Sequence, residues 1–232
     1  MSLIEWVFPS RVTCMLCGRE ALTDARCLCA DCAGRLSPPP EEPCPAALDG
    51  FAAGARFDAA TAGAVHRMKY GDARYLAPFF ASLIEVPADW RVDALTPVPL
   101  HKNKLRARGY NQSALIAYAL AKRLGLPVEE ELLVRARDTG SQTALDAALR
   151  TRNVAGAFLA SPAAAGKRVL LVDDVRTTGA TVCACAAALR AAGASGVYCV
   201  TALARGLEAG AAPRGRPDSR AAPTQISRPT HE

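Results

Sequence analysis

The sequence predicts an α/β fold, in which helices flank a parallel sheet, with a small cysteine-rich module in front of it. Three observations lead to this prediction. Short apolar runs, such as residues 169–172, alternate with helical stretches through most of the chain, which is the rhythm of parallel strands with crossover helices. The acidic pair Asp173-Asp174 follows that run directly, and six of the nine cysteines lie within residues 12–45.

The individual elements follow from the apolar periodicity. Helices are predicted over residues 61–69, 75–84, 111–124 and 180–192, and strands over residues 92–98, 169–172 and 197–203. The prolines of Pro38-Pro39-Pro40-Glu41-Glu42-Pro43 block regular helix and favour an extended linker. We therefore expect a zinc-binding module and linker over residues 1–45, a main domain over 46–205, and a disordered tail over 206–232, where large apolar residues are almost absent.

Composition narrows the class of protein. Half of the 232 residues are hydrophobic, which suits one main core with appendages. The formal charge of +6 suits anionic ligands, but charges of both signs are spread widely and are equally typical of a solvated surface. Apolar runs of about 18 residues are absent, and residues 1–11 lack a signal-peptide core. We predict a cytoplasmic protein without a membrane span, whose cysteines are metal ligands, core residues or free thiols.

The segment after the strand at 169–172 predicts a phosphate and ribose site. Thr177-Thr178-Gly179-Ala180-Thr181 opens a helix, so free backbone N–H groups and the positive helix end converge there. Gly179 permits close approach of the backbone, and the threonine hydroxyls add donors. Because adjacent carboxylates can accept from a vicinal diol, the complementary ligand is ribose 5-phosphate. The alternatives are a plain strand and helix with a polar turn, or a response-regulator receiver, in which acidic pairs also end strands but which would not need the threonine-rich loop.

Residues 169–181 resemble the phosphoribosyl diphosphate motif of the type I phosphoribosyltransferases almost position by position. The resemblance implies that Asp173 and Asp174 hold the ribose hydroxyls. It also implies that Thr177 to Thr181 wrap the 5-phosphate, and it makes Val175 and Arg176 candidate substrate-binding residues. Arg176 departs from the motif, since an aliphatic residue is usual there, and its side chain either points to solvent or adds a charge at the ligand's edge.

A proline-rich and basic segment predicts a second anion site. Thr96-Pro97-Val98-Pro99-Leu100 precedes four cations within seven residues, namely Lys102, Lys104, Arg106 and Arg108. Cations of this kind also occur on solvated faces. This segment, with Arg108-Gly109-Tyr110-Asn111-Gln112, is similar to the signature of one branch, the ComF and GntX proteins. The resemblance implies that Pro99, Lys102, Arg106 and Arg108 face the diphosphate.

Two further segments match the same branch. Lys69-Tyr70-Gly71-Asp72 is one of them, and it makes Lys69 a candidate anion contact. The other segment contains Gln142, Leu145, Arg150, Arg152, Asn153, Gly156 and Phe158. Because residues 138–153 are polar and rich in arginine, they are predicted either to close over the ligand as a lid that excludes water, or to form an ordinary surface loop and helix.

The amino-terminal cysteines predict a tetrahedral zinc site. Cys14, Cys17, Cys29 and Cys32 form two pairs with the two-residue spacing that lets both thiolates of a pair bind one metal. Cys27 is close enough to compete with Cys29, and a dithiol redox role is the alternative. ComF-like proteins often carry further cysteine pairs, whereas only Cys44 follows here. The remaining cysteines, Cys183, Cys185 and Cys199, are predicted to pack in the core.

Two functions are compatible with these features. The first is a phosphoribosyltransferase-like protein that binds phosphoribosyl diphosphate with Mg²⁺ and that the ComF resemblance links to DNA uptake and competence. The alternative is a non-catalytic protein that senses phosphoribosyl diphosphate or binds single-stranded DNA or DNA-uptake proteins, with Tyr70, Tyr75 and Tyr110 as candidates for base stacking. The acceptor substrate, the oligomeric state and catalytic competence are not predicted by the sequence.

Overall fold

The structure is a computed structural model, and it describes residues 13–137 and 156–206. The predicted lid residues Gln142, Leu145, Arg150, Arg152 and Asn153 lie outside the described residues. The same holds for residues 1–12 and for the predicted disordered tail from residue 207 onwards. The lid and tail therefore stay predictions.

The main sheet has four parallel strands. The strands of the described chain are β1 (Gly50–Arg56), β2 (Ala94–Pro97), β3 (Leu133–Arg135), β4 (Phe158–Ala160), β5 (Arg168–Arg176) and β6 (Gly196–Ala204). Four of them pair in the order β1-β6-β5-β2, all parallel, while β3 and β4 form an antiparallel pair. The carboxyl ends of the four parallel strands consequently share one edge, where ligands bind in open α/β sheets.

Helices cover both faces of this sheet. They are α1 (Ala30–Arg35), α2 (Ala59–Tyr70), α3 (Ala77–Leu83), α4 (Lys102–Arg108), α5 (Gln112–Leu124) and α6 (Ala180–Ala191), with 3-10 turns at Arg74–Leu76, Glu130–Leu132 and Pro162–Ala164. Helices α2, α3 and α5 share one buried cluster with one face of the sheet. Helix α6 and the β3–β4 pair pack on the other face. The predicted α/β architecture with flanking helices is confirmed, and none of the described helices is long and apolar enough to cross a membrane.

Among the helices and strands, the sequence prediction missed α1, α4, β1, β3 and β4. Strand β1 reads Gly-Phe-Ala-Ala-Gly-Ala-Arg, a composition with low strand propensity. Its glycines are needed for packing, because a Cβ at Gly50 would lie 2.5 Å from the Trp90 ring and one at Gly54 would lie 2.5 Å from the Leu83 carbonyl oxygen. Helix α4 follows the proline-rich segment directly, and the imidazole of His101 caps it by accepting from the Asn103 N–H at 3.4 Å.

The cysteine module packs directly on the main domain. Its buried residues Cys14, Leu16 and Leu28 belong to the same apolar cluster as α2, α3 and α5. Arg67 of α2 donates from its guanidinium to the carbonyl oxygens of Met15, at 2.6 Å, and of Leu16, at 3.0 Å. The backbone between the first two cysteines is therefore anchored to α2.

Candidate functional site

The acidic pair lies in the part of β5 that extends beyond the end of its neighbour β2. Pairing between these strands ends with Pro97 opposite Val172, whereas β5 continues beside β6 as far as Arg176, opposite Ala204. We had expected the strand to end at residue 172. The longer strand carries Asp173 and Asp174 past the end of β2, over the first turn of α5.

The first turn of α5 and the last turn of α2 hold these carboxylates. The Ser113 hydroxyl donates to Asp173 Oδ1 at 2.8 Å, and the Gln112 side-chain amide donates to Asp174 Oδ1 at 3.4 Å. The Lys69 ammonium lies 2.7 Å from Asp174 Oδ2, with only 24% and 9% of these two side chains exposed. The prediction paired Lys69 with an anionic ligand, but in the structure its partner is a carboxylate of the site itself.

The two carboxylates differ in their electrostatic environment. Burial, followed by the charge of Asp174, raises the pKa of Asp173, although the hydrogen bond from Ser113 opposes this. For Asp174, burial acts to raise the pKa, but the charge and hydrogen bond of Lys69 outweigh it and leave the pKa below the usual value. Asp174 is therefore the ionised member of the pair, and Asp173 is the one whose ionisation the fold opposes.

The segment after β5 forms an open turn at the start of α6. Gly179 precedes the helix with φ of 77°, in the left-handed region that favours glycine. A side-chain cap from this position is impossible, and the Thr178 hydroxyl accepts weakly from the Ala180 N–H at 3.4 Å. The hydroxyl-bearing residues Thr177, Thr178 and Thr181 are partly exposed around this turn. The helix therefore starts four residues after the end of β5, close in the chain to the acidic pair, and its first N–H groups lack partners within the helix.

The side chain of Arg176 is buried and points away from solvent. Its side chain is 4% exposed and forms an ion pair with Glu42 of the linker, whose side chain is 6% exposed. The guanidinium lies over the Phe51 ring of β1, at 4.6 Å from the centroid. The predicted alternative that Arg176 points to solvent is wrong, because its guanidinium is buried between the Glu42 carboxylate and the Phe51 ring.

A cationic cavity of about 490 Å³ lies beside the acidic pair. Its lining combines cations and tyrosines with one acid, namely Lys69, Tyr70, Asp72, Arg74, Lys104, Ala107, Arg108 and Tyr110. The Arg74 guanidinium stacks 4.6 Å from the centroid of the Tyr110 ring, and that of Arg108 lies 5.3 Å from the centroid of the Tyr70 ring. Arg108 also donates to the side-chain oxygen of Gln112, which connects the cavity to the acidic pair.

Helical geometry divides the four predicted cations. Lys104 and Arg108 are four residues apart on α4 and line the cavity. Lys102 and Arg106 are exposed and are not part of this lining. Pro99 is partly exposed between β2 and α4. The structure thus brings Lys69 and Arg108 together with the acidic pair.

Several site residues were absent from the sequence prediction. Ser113 and Arg74 were not identified, and Gln112 was noted only as part of a motif. A signal for the first turn of α5 was available, because Asn111 is a typical helix cap and accepts from the Ser113 N–H at 3.1 Å. Arg74 and Glu42 gave no such signal, since only the tertiary fold brings them to the site.

The four cysteines predicted to bind zinc do converge. The sulfur atoms of Cys14, Cys17, Cys29 and Cys32 all lie within 4.8 Å of one another, and a zinc tetrahedron would place them about 3.8 Å apart. The backbone N–H of Cys29 donates to Cys14 Sγ at 3.4 Å, which suits a thiolate. Cys27, the predicted competitor, is not in this cluster of the described chain. Cys185 and Cys199 are buried as predicted, whereas Cys183 is partly exposed.

Comparisons with known proteins find relatives of this chain. The family described as phosphoribosyl transferase domain matches residues 111–225. The DNA utilization protein YhgH of Escherichia coli O6:H1 is 31% identical over 198 residues, which cover 79% of this chain and 86% of that protein. The YhgH protein of Escherichia coli K12 is 38% identical over 105 residues, which cover 45% of this chain and 46% of that protein.

Two other proteins are similar to part of this chain. Competence protein F of Haemophilus influenzae is 37% identical over 93 residues, which cover 39% of this chain and 41% of that protein. Among solved structures, a glutamine phosphoribosylpyrophosphate amidotransferase from B. subtilis is 26% identical, with a TM-score of 0.37, and the match covers 56% of this chain and 25% of that chain. The matches to the K12 and Haemophilus proteins thus span less than half of those relatives.

Proposed function

This chain belongs to the ComF/GntX family of type I phosphoribosyltransferase-like proteins, and from that premise we propose that it binds phosphoribosyl diphosphate together with Mg²⁺. One observation carries the proposal. The acidic pair at the end of β5 is followed in the chain by the open turn at residues 177–179. The pair is also linked to the cationic cavity, because Lys69 and Gln112 contact Asp174 and Lys69 lines the cavity. A ligand with phosphate, vicinal hydroxyls and diphosphate in that order matches this arrangement.

Each part of the ligand has a proposed partner. The backbone N–H groups and hydroxyls of residues 177–181 bind the 5-phosphate, as helix starts bind anions. Asp174, which is ionised, accepts from a ribose hydroxyl, and Asp173 accepts from the other. Lys69, Lys104 and Arg108 bind the diphosphate in the cavity. Val175 and Arg176 support this loop from β5, and Pro99, Lys102 and Arg106 stay candidate contacts at the α4 side.

The metal ions proposed for this chain have different roles. Mg²⁺ prefers carboxylate and substrate phosphate oxygens, so the oxygens of Asp173 and Asp174 fit its needs beside a bound diphosphate. When bound, it would neutralise charge on the leaving diphosphate. Zn²⁺ would be held by Cys14, Cys17, Cys29 and Cys32 as a structural ion, and a reducing cytoplasm would keep these thiols available.

The reaction that this site would support is transfer of the phosphoribosyl group. A lone pair of the acceptor forms a bond to the anomeric carbon, the bond from that carbon to oxygen breaks, and its electron pair leaves with the diphosphate. The acceptor then loses its proton to solvent. The cations of the cavity stabilise the negative charge that develops on the leaving group.

A second candidate function is binding of single-stranded DNA. Tyr70 is 70% exposed at the mouth of the cavity, and Arg108 lies 5.3 Å from the centroid of its ring. Aromatic rings beside cations bind single strands by stacking and phosphate contact. The names of the YhgH and competence relatives suggest a role in DNA uptake or use, and both functions are compatible with such a role.

Calorimetry on the zinc-loaded full chain tests the proposal. The ligands are phosphoribosyl diphosphate with Mg²⁺, ribose 5-phosphate, and an oligothymidylate in parallel. We expect the diphosphate ligand to bind at least tenfold more tightly than ribose 5-phosphate, because only it reaches the cavity. If the oligonucleotide binds and neither phosphoribosyl ligand does, the second proposal replaces the first.

A matched pair of variants locates the diphosphate. Arg108→Leu removes a cation that lines the cavity, whereas Arg106→Leu removes an exposed one from the same helix. We expect Arg108→Leu to weaken phosphoribosyl diphosphate binding about 10- to 100-fold, as for loss of one charge-assisted hydrogen bond, and to leave ribose 5-phosphate binding unchanged. Equal losses in both variants would place the diphosphate on the exposed side of α4 instead.

A further inference from the structure

The ion pair between Arg176 and Glu42 connects the linker to the turn before α6. Both side chains are almost fully buried, at 4% and 6% exposure, although the residues are 134 positions apart in the chain. Glu42 belongs to the proline-rich segment that precedes β1, and Arg176 is the last residue of β5. Glu42 of the linker thus contacts the residue that directly precedes the turn at residues 177–179.

Arg176 packs directly against this loop. A Cβ placed on Gly179 would lie 3.2 Å from Arg176 Nε, so the guanidinium lies directly below the glycine that starts α6. The Phe51 ring covers the guanidinium at 4.6 Å, and Arg176 Nε has no hydrogen-bond partner among the residues that the structure describes. The side chain is therefore held by one ion pair and by contacts with a ring and the loop.

The position of Arg176 depends on Glu42. A buried guanidinium without a countercharge is strongly unfavourable, and so is a buried carboxylate. Without the Glu42 carboxylate, the Arg176 guanidinium would move towards water or draw water in. Because Arg176 contacts Gly179, such a movement would disturb the left-handed turn from which the N–H groups of α6 are presented.

We propose that Arg176 is a positioning residue that holds the turn at residues 177–179, and that Glu42 acts on this turn by holding Arg176. The inference deepens the proposed function, on which it rests, because it makes the linker a part of the phosphate site. It also explains how an arginine is accommodated where the family usually has an aliphatic residue: the linker supplies the carboxylate that the arginine requires.

Four variants test the inference, namely Arg176→Leu, Glu42→Leu, the double variant, and Lys167→Leu as the control. Lys167 lies next to the opposite end of β5 and forms a more exposed ion pair with Glu129, 2.6 Å between Nζ and Oε2, so it controls for loss of an ion pair beside the same strand. The first measurement is amide hydrogen exchange without ligand at Cys183, whose N–H donates to the carbonyl oxygen of Gly179 in the turn at 3.0 Å. This rate reports on the turn and is compared with the rates of residues in β6. The second is the affinity for ribose 5-phosphate, measured by calorimetry.

We expect each single variant of the Arg176–Glu42 pair to speed exchange in the turn at least tenfold and to weaken ribose 5-phosphate binding about tenfold. The exchange of β6 and of the control variant should change much less. In the double variant, an apolar pair replaces the ion pair, and exchange in the turn should return to within threefold of the wild-type rate.

Several outcomes would overturn the inference. They are unchanged exchange in the turn of a folded single variant, a control that loosens the turn equally, or a folded double variant whose turn stays loose. If the single variants do not fold, the double variant alone tests the inference, and an exchange rate in the turn more than threefold above the wild-type rate overturns it. Failure of the wild type to bind ribose 5-phosphate would instead count against the proposed function, since exchange is measured without ligand.

Discussion

The Lys69 ammonium and the Asp174 carboxylate form an ion pair, 2.7 Å between Nζ and Oδ2, that joins α2 to β5. Both groups belong to the proposed ligand site, so the pair sets the charge state of that site. Burial acts to lower the pKa of Lys69, but the charge of Asp174, the hydrogen bond to it and the charge of Asp173 together raise the pKa above the usual value. Lys69 and Asp174 are accordingly both charged at neutral pH.

Lys69→Met should destabilise the protein by about 3 kcal/mol, because it leaves a buried carboxylate unpaired. Urea unfolding at pH 7 measures the loss. As the control, Lys102→Met removes an exposed lysine and should change the free energy of unfolding by less than about 0.5 kcal/mol. Equal effects of the two substitutions would contradict a role for the buried pair.

Asp173→Asn should stabilise the fold at neutral pH while it weakens ligand binding. The folded-state pKa of Asp173 is raised above the unfolded value of 3.8, so its ionisation costs stability as the pH rises from 3.8 through the raised pKa. The variant avoids this cost and should gain on the order of 1 kcal/mol at pH 8. The gain should disappear at pH 3, where Asp173 is protonated in both states, and unfolding curves at the two pH values check the sign.

Gly179→Ala should destabilise the protein more than Gly125→Ala. Both glycines have positive φ, 77° and 69°, so both substitutions carry a conformational cost of about 1 kcal/mol. A Cβ at Gly125 meets nothing within 4 Å among the described residues, whereas a Cβ at Gly179 would lie 3.2 Å from Arg176 Nε. The difference between the two free energies of unfolding isolates this contact, and a larger loss at Gly125 would contradict it.

Removal of zinc should lower the thermal midpoint of the whole domain and should not produce a separate small transition. The reason is that Cys14 and Leu16 share the apolar cluster of α2 and α3, and that Arg67 anchors the backbone between the cysteines. Calorimetric melting with and without a chelator checks this. Cys17→Ser should reproduce the effect and reduce bound zinc, whereas Cys27→Ser should leave the zinc content unchanged.

The local sequence was sufficient to predict features whose signal lies within a few adjacent residues. The apolar run at 169–172 followed by Asp173-Asp174 predicted the central strand and its acidic pair, and two short cysteine spacings predicted a metal cluster. The arginine at 176 was placed in the right segment, but its direction was not predictable, since its partner Glu42 is 134 residues away.

The sequence by itself determined the parallel α/β architecture, the threonine-rich loop and the four converging cysteines, because each depends on periodicity or on fixed spacing. Only the tertiary structure decided which cations share a cavity, since helix α4 turns Lys104 and Arg108 to one side and leaves Lys102 and Arg106 exposed. It also decided the partners of Asp174 and Arg176. Buried charges are stabilised by whichever opposite charge the folded chain brings close, and that contact is set by packing between elements that are distant in the sequence.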